Sequence, residues 1–92
     1  MIDNLRAPIL YNPREFISVS IAARLAGVTP RTIQNWCCSH RIGRRIANGR
    51  WRVSRIALQM LLNDDKVALK AYLAGERADE RVAAYLRRAG LQ

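Results

Sequence analysis

Residues 16–53 have the sequence FISVSIAARLAGVTPRTIQNWCCSHRIGRRIANGRWRV, which contains signals for two short helices and a hairpin. Ser18 is a good N-terminal cap, because its hydroxyl can accept a hydrogen bond from a backbone amide in the first helical turn. Apolar residues then recur at helical spacing until Gly27, a residue that readily takes the left-handed conformation at a helix end. The pattern predicts a first helix over residues 19–26.

A second helix is predicted over residues 30–39. Thr29 can cap its start, and Pro30 suits the first helical position, where a backbone N–H has no partner within the helix. The inward stripe of this helix consists of Ile33, Trp36 and Cys37. The opposite side carries short polar groups and one arginine, namely Arg31, Thr32, Gln34, Asn35 and Cys38. Such a face, without apolar bulk, suits a helix that enters a groove of DNA.

The dipeptide Asn48-Gly49 predicts a tight hairpin, because both central residues of a type I′ turn need a positive φ. A two-residue turn would place Arg44 opposite Val53, Arg45 opposite Arg52, Ile46 opposite Trp51 and Ala47 opposite Arg50. One face would then hold Ile46, Trp51 and Val53, and the other would hold Arg45, Ala47, Arg50 and Arg52. Opposed arginines repel by roughly 0.2–1 kcal/mol, so this pairing favours a surface that phosphates neutralise.

The net charge of the chain is +9, and it is concentrated in the middle of the sequence. Residues 16–63 carry eight arginines and no acidic residue, whereas the flanking segments, 1–15 and 64–92, are almost neutral. A solubilising charge would be spread more evenly. The clustering therefore indicates a polyanionic partner, and double-stranded DNA fits it best.

The composition bounds the class of protein in other ways. With 92 residues, of which 50% are hydrophobic, the chain suffices for one small domain with a packed core. It has no run of about 18 apolar residues and no secretion signal, which predicts a cytoplasmic protein without membrane association. Adjacent Cys37 and Cys38 cannot form an ordinary disulfide with each other and are typical of a reducing compartment.

Three further helices are predicted after the hairpin. Ser54 can cap one over residues 55–62, and two more follow, at about 65–74 and from Asp79 to Gly90. The last two carry apolar stripes that include Val67, Leu69, Tyr72, Leu73, Val82, Tyr85 and Leu86. These stripes either cover the core or serve in self-association or partner docking. The predicted organisation is an N-terminal arm (1–15), a DNA-binding module (16–63) and a C-terminal helical extension (64–92).

The order and spacing of several short motifs between residues 16 and 62 are distinctive. They are Ile17-Ser18-Val19, Ala22-Ala23, Leu25-Ala26-Gly27-Val28-Thr29, Arg31-Thr32-Ile33, Trp36 and Gly49-Arg50-Trp51-Arg52-Val53. Together they resemble the excisionase-type winged helix-turn-helix domains of the MerR-like group, which include the recombination directionality factors of phages and integrative elements. The resemblance implies a mainly α fold with a small β-hairpin, a winged helix-turn-helix, followed by C-terminal helices.

The resemblance also implies a mode of action. Such proteins place helix two in the major groove and the hairpin wing in an adjacent minor groove. Many of them bind neighbouring sites cooperatively, bend the DNA and favour excision by an integrase. Two positions depart from the family pattern, because His40 stands where glycine commonly ends helix two and Gly43 stands where proline is frequent before the wing.

The candidate DNA contacts fall into two groups. Arginine can pair with guanine, and glutamine or asparagine with adenine, so the helix-two group is Arg31, Thr32, Gln34, Asn35 and Cys38. The wing group, which would grip phosphates or enter a narrow minor groove, is Arg44, Arg45, Asn48, Arg50 and Arg52. The alternative for the helix-two group is an ordinary solvated helix face. The alternative for the wing group is an edge strand whose charges prevent aggregation, although such protection needs fewer charges of one sign.

Other kinds of site find little support in the residues. Trp36 and Trp51 could stack on single-stranded bases, but their periodicity places both on core faces. Cys37, Cys38 and His40 lack a second ligand pair at the spacing of a zinc site, so no metal is predicted. The chain has one histidine, no glycine-rich phosphate loop and no nucleophile elbow, so neither a catalytic residue nor a cofactor is predicted.

The leading hypothesis from the sequence is a bacterial or phage excisionase that binds double-stranded DNA as neighbouring copies and has an integrase as partner. A small transcriptional regulator is the alternative within the same chemistry, because the two differ in the position of the site and in the other bound proteins. A second alternative is an adaptor that binds a protein partner through the C-terminal helices.

Overall fold

The structure is a computed structural model of the chain, and it describes residues 12–46 and 49–91. Its helices and strands are, in chain order, β1 (Phe16–Ser18), α1 (Val19–Ala26), α2 (Pro30–Ser39), β2 (Gly43–Arg45), β3 (Trp51–Ser54), α3 (Arg55–Leu62), α4 (Lys66–Leu73) and α5 (Glu80–Arg88). The predicted fold class is confirmed, because the described residues form a mostly helical winged helix-turn-helix with a small antiparallel sheet and C-terminal helices.

Side-chain caps set the start of both helices of the helix-turn-helix. The Ser18 hydroxyl accepts a hydrogen bond from the Ile21 N–H at 3.1 Å, and the Thr29 hydroxyl accepts one from the Thr32 N–H at 3.2 Å. Gly27, with a φ of 71°, ends α1 in the left-handed conformation. The bounds of α1 and α2 match the predicted ranges.

The sheet of the described residues contains three strands. β3 lies in the centre and pairs antiparallel with β1 on one side and with β2 on the other. Ile17 of β1 lies opposite Val53, and Phe16 lies opposite Ser54. Because β1 leads directly into α1, this third strand ties the start of the helix-turn-helix to the wing.

The register of the hairpin differs from the prediction by one residue. Arg45 pairs with Trp51, Arg44 with Arg52 and Gly43 with Val53. The Ile46 N–H donates to the Arg50 carbonyl, and the Gly49 N–H donates to the Ile46 carbonyl, so three residues separate the hydrogen-bonded pair Ile46 and Arg50. Gly49 has a positive φ of 83° as the last of these residues, as is typical of three-residue hairpins. The predicted two-residue turn and the predicted pairing of Arg45 with Arg52 are therefore wrong.

Packing at Gly43 gives the physical reason for this register. A Cβ on Gly43 would lie 2.5 Å from the Cys37 Sγ and 2.7 Å from the Arg52 carbonyl oxygen, so glycine alone fits where β2 crosses α2. The predicted register would have placed Arg44, with its long side chain, opposite Val53 at this point. Close contact with α2 thus overrides the hairpin preference of Asn48-Gly49.

One hydrophobic core extends from β1 to α5. Its buried side chains include Phe16, Ile33, Val53, Ile56, Met60, Leu69, Tyr72, Val82 and Leu86. Tyr72 and Tyr85, which the sequence placed on the apolar stripes of the last two helices, are 3% and 8% exposed, whereas Val67 is 59% exposed. The C-terminal helices therefore pack on the helix-turn-helix and complete its core.

A buried carboxylate connects the parts of this core. Glu15 is 2% exposed, and its Oε1 accepts hydrogen bonds from the Tyr72 hydroxyl at 2.6 Å and from the Arg77 guanidinium at 2.8 Å. The Tyr72 hydroxyl lies 2.8 Å from that of Ser54, which caps α3. The Glu15 carbonyl also accepts a hydrogen bond from the Arg55 N–H. Glu15 thus joins the segment before β1 to β3, α3, α4 and the α4–α5 connection.

The surroundings of Glu15 keep its carboxylate charged. Burial on its own would raise the pKa of Glu15, but hydrogen bonds from Arg77 and Tyr72 and the charges of Arg77 and Arg55 bring the pKa below its ordinary value of 4.5. Burial, followed by the neighbouring Glu15, raises the pKa of Tyr72, so the Tyr72 hydroxyl remains a donor. Among the described residues, every buried side-chain nitrogen or oxygen has a hydrogen-bond partner.

We expect Glu15→Gln to lower the free energy of unfolding by about 2 kcal/mol at neutral pH, because it removes charge-assisted hydrogen bonds from a buried site. A lowered pKa in the folded state stabilises the fold above the ordinary pKa and loses this contribution as the pH falls below 4.5. The variant should therefore lose less stability than the wild type over that acid range. Urea unfolding followed by circular dichroism as a function of pH measures both effects.

Glu76→Gln is the matched control, because Glu76 is exposed and undergoes the same change from carboxylate to amide. We expect it to unfold as the wild type does. Equal effects of the two substitutions on stability and on its pH dependence would show that Glu15 has no special role in the fold.

Candidate nucleic-acid interface

The outer face of α2 is polar and open to solvent. Arg31, Gln34, Asn35 and Cys38 are exposed, whereas Ile33 and Cys37 on the opposite side are 0% and 4% exposed. Pro30 occupies the first turn of the helix. This turn contains no acidic residue, so no negative side chain of the helix neutralises the positive end of the helix dipole. Four of the five predicted helix-two contacts thus share one accessible surface.

Thr32 differs from the other four. Its side chain is half-buried, and its hydroxyl lies 3.0 Å from the hydroxyl of Thr29 while its N–H donates to the same oxygen. Thr32 therefore belongs to the cap of α2, and its hydroxyl is already engaged within the protein.

The chain leaves α2 through a left-handed residue. His40, which stands at the predicted position of a family glycine, has a φ of −114°, and its N–H donates to the Trp36 carbonyl at 2.8 Å. The positive φ occurs one residue later, at Arg41, with a value of 60°. Glycine would adopt this positive φ without strain, but the position is occupied by Arg41, whose side chain is exposed.

One face of the wing is turned toward α2. Side chains alternate along a strand, so Arg45 lies on the same face as Gly43, and Gly43 packs against Cys37 of α2. The Arg45 guanidinium lies 5.7 Å from the centre of the Trp51 ring, and its Nε donates to the Gly49 carbonyl at 3.3 Å. Arg45 is therefore exposed yet held over the hairpin on the side of α2.

The opposite face of the wing carries the like-charged pair. Arg44 lies directly across from Arg52, and both are half-buried. The Arg52 Nη2 donates to the Phe16 carbonyl at 3.4 Å, so this side chain is directed toward β1. The predicted grouping of Arg45 with Arg52 on one face is wrong, because the register shift moves Arg45 to the other side of the sheet.

Of the remaining predicted wing contacts, Arg50 lies near the hairpin loop. Arg50 is exposed at the start of the returning strand, next to Gly49. Asn48, also predicted as a DNA contact, lies outside the described residues. Arg45 is thus the wing arginine on the face turned toward α2, and Arg50 is exposed beside Gly49.

Alternative uses of the aromatic and thiol groups can be judged from burial. Trp36 and Trp51 are half-buried and pack against the core, as their periodicity predicted. Burial, and to a lesser degree Cys38, raises the pKa of Cys37 to about 11, so Cys37 remains a thiol at neutral pH. Within residues 12–46 and 49–91, no group of three His, Cys, Asp or Glu side chains is arranged to hold a metal ion.

Comparison with known protein families assigns the chain to one of them. A family model described as a helix-turn-helix domain matches residues 16–66, which is more than half of the chain. No curated protein and no solved structure shows a significant match. In the part of the chain that the structure describes, no helix has the length and apolar character needed to cross a membrane.

The two cysteines provide a test of the faces of α2. We expect N-ethylmaleimide at neutral pH to modify the exposed Cys38 rapidly and the buried Cys37 only after unfolding, because the thiolate is the reactive form. Double-stranded DNA should slow the modification of Cys38. Peptide mass spectrometry over a time course measures both rates.

Cys38→Ser serves as the control, since the folded variant retains only the buried thiol. Equal modification rates of Cys37 and Cys38 in the native protein would contradict the orientation of α2.

Proposed function

Because this chain belongs to the helix-turn-helix domain family and is a small DNA-binding protein, we propose that it acts as an excisionase. In this proposal it binds attachment-site DNA as neighbouring copies and helps an integrase to excise a mobile element. The supporting observations are that α2 has an exposed polar outer face, that the wing packs on α2 through the contact of Gly43 with Cys37, and that Arg45 is exposed on the wing.

The proposed division of labour follows from the side chains on each surface. Arg31, Gln34 and Asn35 would contact base edges in the major groove, since their groups match the donors and acceptors of guanine and adenine. Arg45 and Arg50 would contact phosphates or an adjacent minor groove. Arg44 and Arg52, on the far face, would contribute through the overall positive potential or a second phosphate contact.

An apolar groove supports the proposed protein partners. It has a volume of about 440 Å³ and lies between α1, α3 and α5, where Leu25 and Leu62 are 64% and 43% exposed. Arg55 and Arg88 also line this groove. An acidic and apolar segment of an integrase, or of a neighbouring copy, would match its charge and character.

A transcriptional regulator is equally compatible with the family and the geometry. Both functions need the same contacts with double-stranded DNA, so a footprint of the purified protein on its own genomic neighbourhood comes first. Sites within an attachment region would favour excision, and a single site over a promoter would favour regulation.

The adaptor alternative needs a test other than deletion of residues 64–92. Tyr72, Val82 and Leu86 are buried in the shared core, so removal of this segment would expose the core. Leu25→Asp changes the exposed groove instead and leaves the core intact. Loss of partner binding with unchanged DNA affinity would assign the groove to a protein partner.

We expect an excision assay with the integrase of the same element to respond to this protein. Wild type should raise the yield of excised product, whereas Asn35→Ala should not at equal concentration, because altered base contacts weaken binding at the attachment site. Gel analysis of recombination products measures the effect. An unchanged yield, together with a footprint over a promoter, would replace the excisionase proposal by the regulator.

The salt dependence of binding tests the roles of helix and wing. With roughly six phosphates neutralised, log affinity should fall with log salt concentration at a slope near −5. Arg45→Ala with Arg50→Ala should make this slope less steep by about two and weaken binding to all sequences alike. Asn35→Ala should keep the slope and lose about 1–3 kcal/mol of discrimination at one base position.

Fluorescence anisotropy with cognate and mixed-sequence duplexes measures these quantities. A wild-type slope near zero would exclude the proposed binding mode. A sequence-dependent loss in the wing variant, with a uniform loss in Asn35→Ala, would reverse the assigned roles.

A further inference from the structure

A basic groove lies between the C-terminal end of α2 and α4. It has a volume of about 440 Å³ and is lined by Arg41, Lys66, Leu69, Lys70, Leu73 and Ala74. Three of the six lining residues are cations, and none is acidic. We propose that this groove is a further contact for the DNA sugar-phosphate backbone, outside both the face of α2 and the wing.

The two lysines are distinctive within this chain. Lys66 and Lys70 are its only lysines, against fourteen arginines, and both line this groove. They are four residues apart in α4, so they lie on one side of the helix, one turn apart. Both are exposed, and neither forms an ion pair with a described residue. Two ammonium groups arranged in this way suit the successive charges of a nucleic-acid backbone.

Arg41 connects the groove to the proposed reading surface. It follows directly after His40, the C-terminal cap of α2, and its φ of 60° turns the chain there toward β2. The groove therefore begins at the residue that follows the C-terminal cap of α2. A duplex seated on the outer face of α2 would continue past the end of the helix. Its sugar-phosphate backbone would then come near the two lysines.

The chemistry of the groove also fits a backbone better than a base. Leu69, Leu73 and Ala74 form an apolar floor along which lysine stems can lie while their ammonium groups reach outward. Lysine is a flexible point charge that binds phosphate without the planar geometry that base recognition uses. Asp65 is near in sequence, but its carboxylate accepts hydrogen bonds from the Ala68 N–H and the Tyr85 hydroxyl.

This inference rests on the proposed DNA-binding function and extends its footprint. Since α4 contributes to the shared core through Leu69 and Tyr72, its outer side is carried rigidly with the helix-turn-helix. The C-terminal helices would then take part in DNA binding as well as in stability.

The small number of lysines allows a direct test by acetylation with an N-hydroxysuccinimide ester. We expect Lys66 and Lys70 to react readily in the free protein and several-fold more slowly in the presence of a mixed-sequence duplex. Peptide mass spectrometry reads the two sites separately. Unchanged rates on DNA, under conditions where anisotropy shows the protein bound, would overturn the inference while leaving the proposed function intact.

A charge-matched pair of variants gives an independent measurement. Lys66→Gln with Lys70→Gln should weaken binding to any duplex about tenfold at moderate salt and make the salt slope less steep by about two. Arg81→Gln with Arg87→Gln removes the same charge from exposed positions of α5 and should leave affinity unchanged. Equal losses of DNA affinity in the two double variants would show that only the net charge matters, and would overturn the inference.

Arg41→Gly separates the charge of this residue from its backbone role. Glycine accepts the φ of 60° without strain, so thermal stability should be kept or raised. DNA affinity should nevertheless fall severalfold. Full affinity in this variant and in the lysine pair would exclude the groove, whereas absence of DNA binding by the wild type would instead refute the proposed function.

Discussion

The buried Glu15 carboxylate is the interaction on which the arrangement of this protein depends. It accepts hydrogen bonds from Tyr72 of α4 and from Arg77 beyond it, while its backbone carbonyl accepts one from Arg55 at the start of α3. A buried charge is costly unless its partners are in place, so these elements must assemble together. The C-terminal helices are consequently part of the same domain as the helix-turn-helix.

A second constraint orients that surface. The missing side chain of Gly43 lets β2 approach Cys37 of α2, and this contact sets both the hairpin register and the face that Arg45 occupies. With no acidic residue between positions 16 and 63, the helix and the wing present charge of one sign. The geometry thus holds several of these arginines at fixed positions on one small domain, which is what the proposed contact with double-stranded DNA requires.

Local signals in the sequence predicted much of the fold. The caps Ser18 and Thr29 and the stop at Gly27 act within one helical turn, so α1 and α2 have the predicted bounds. The exposed face of α2 followed from helical periodicity in the same way. The hairpin register did not, because the preference of Asn48-Gly49 for a tight turn competes with packing of β2 against a helix that lies earlier in the chain.

Helix positions, the polar face of α2 and the concentration of positive charge are properties of neighbouring residues, and they can be inferred from the order of amino acids alone. The roles of Glu15 and Gly43, and the groove that Arg41 forms with the two lysines of α4, cannot be inferred in this way, because each depends on contacts between residues far apart in the chain. Glu15 and Arg77, for example, are 62 positions apart. Such contacts exist only once the core has brought the helices and the sheet together.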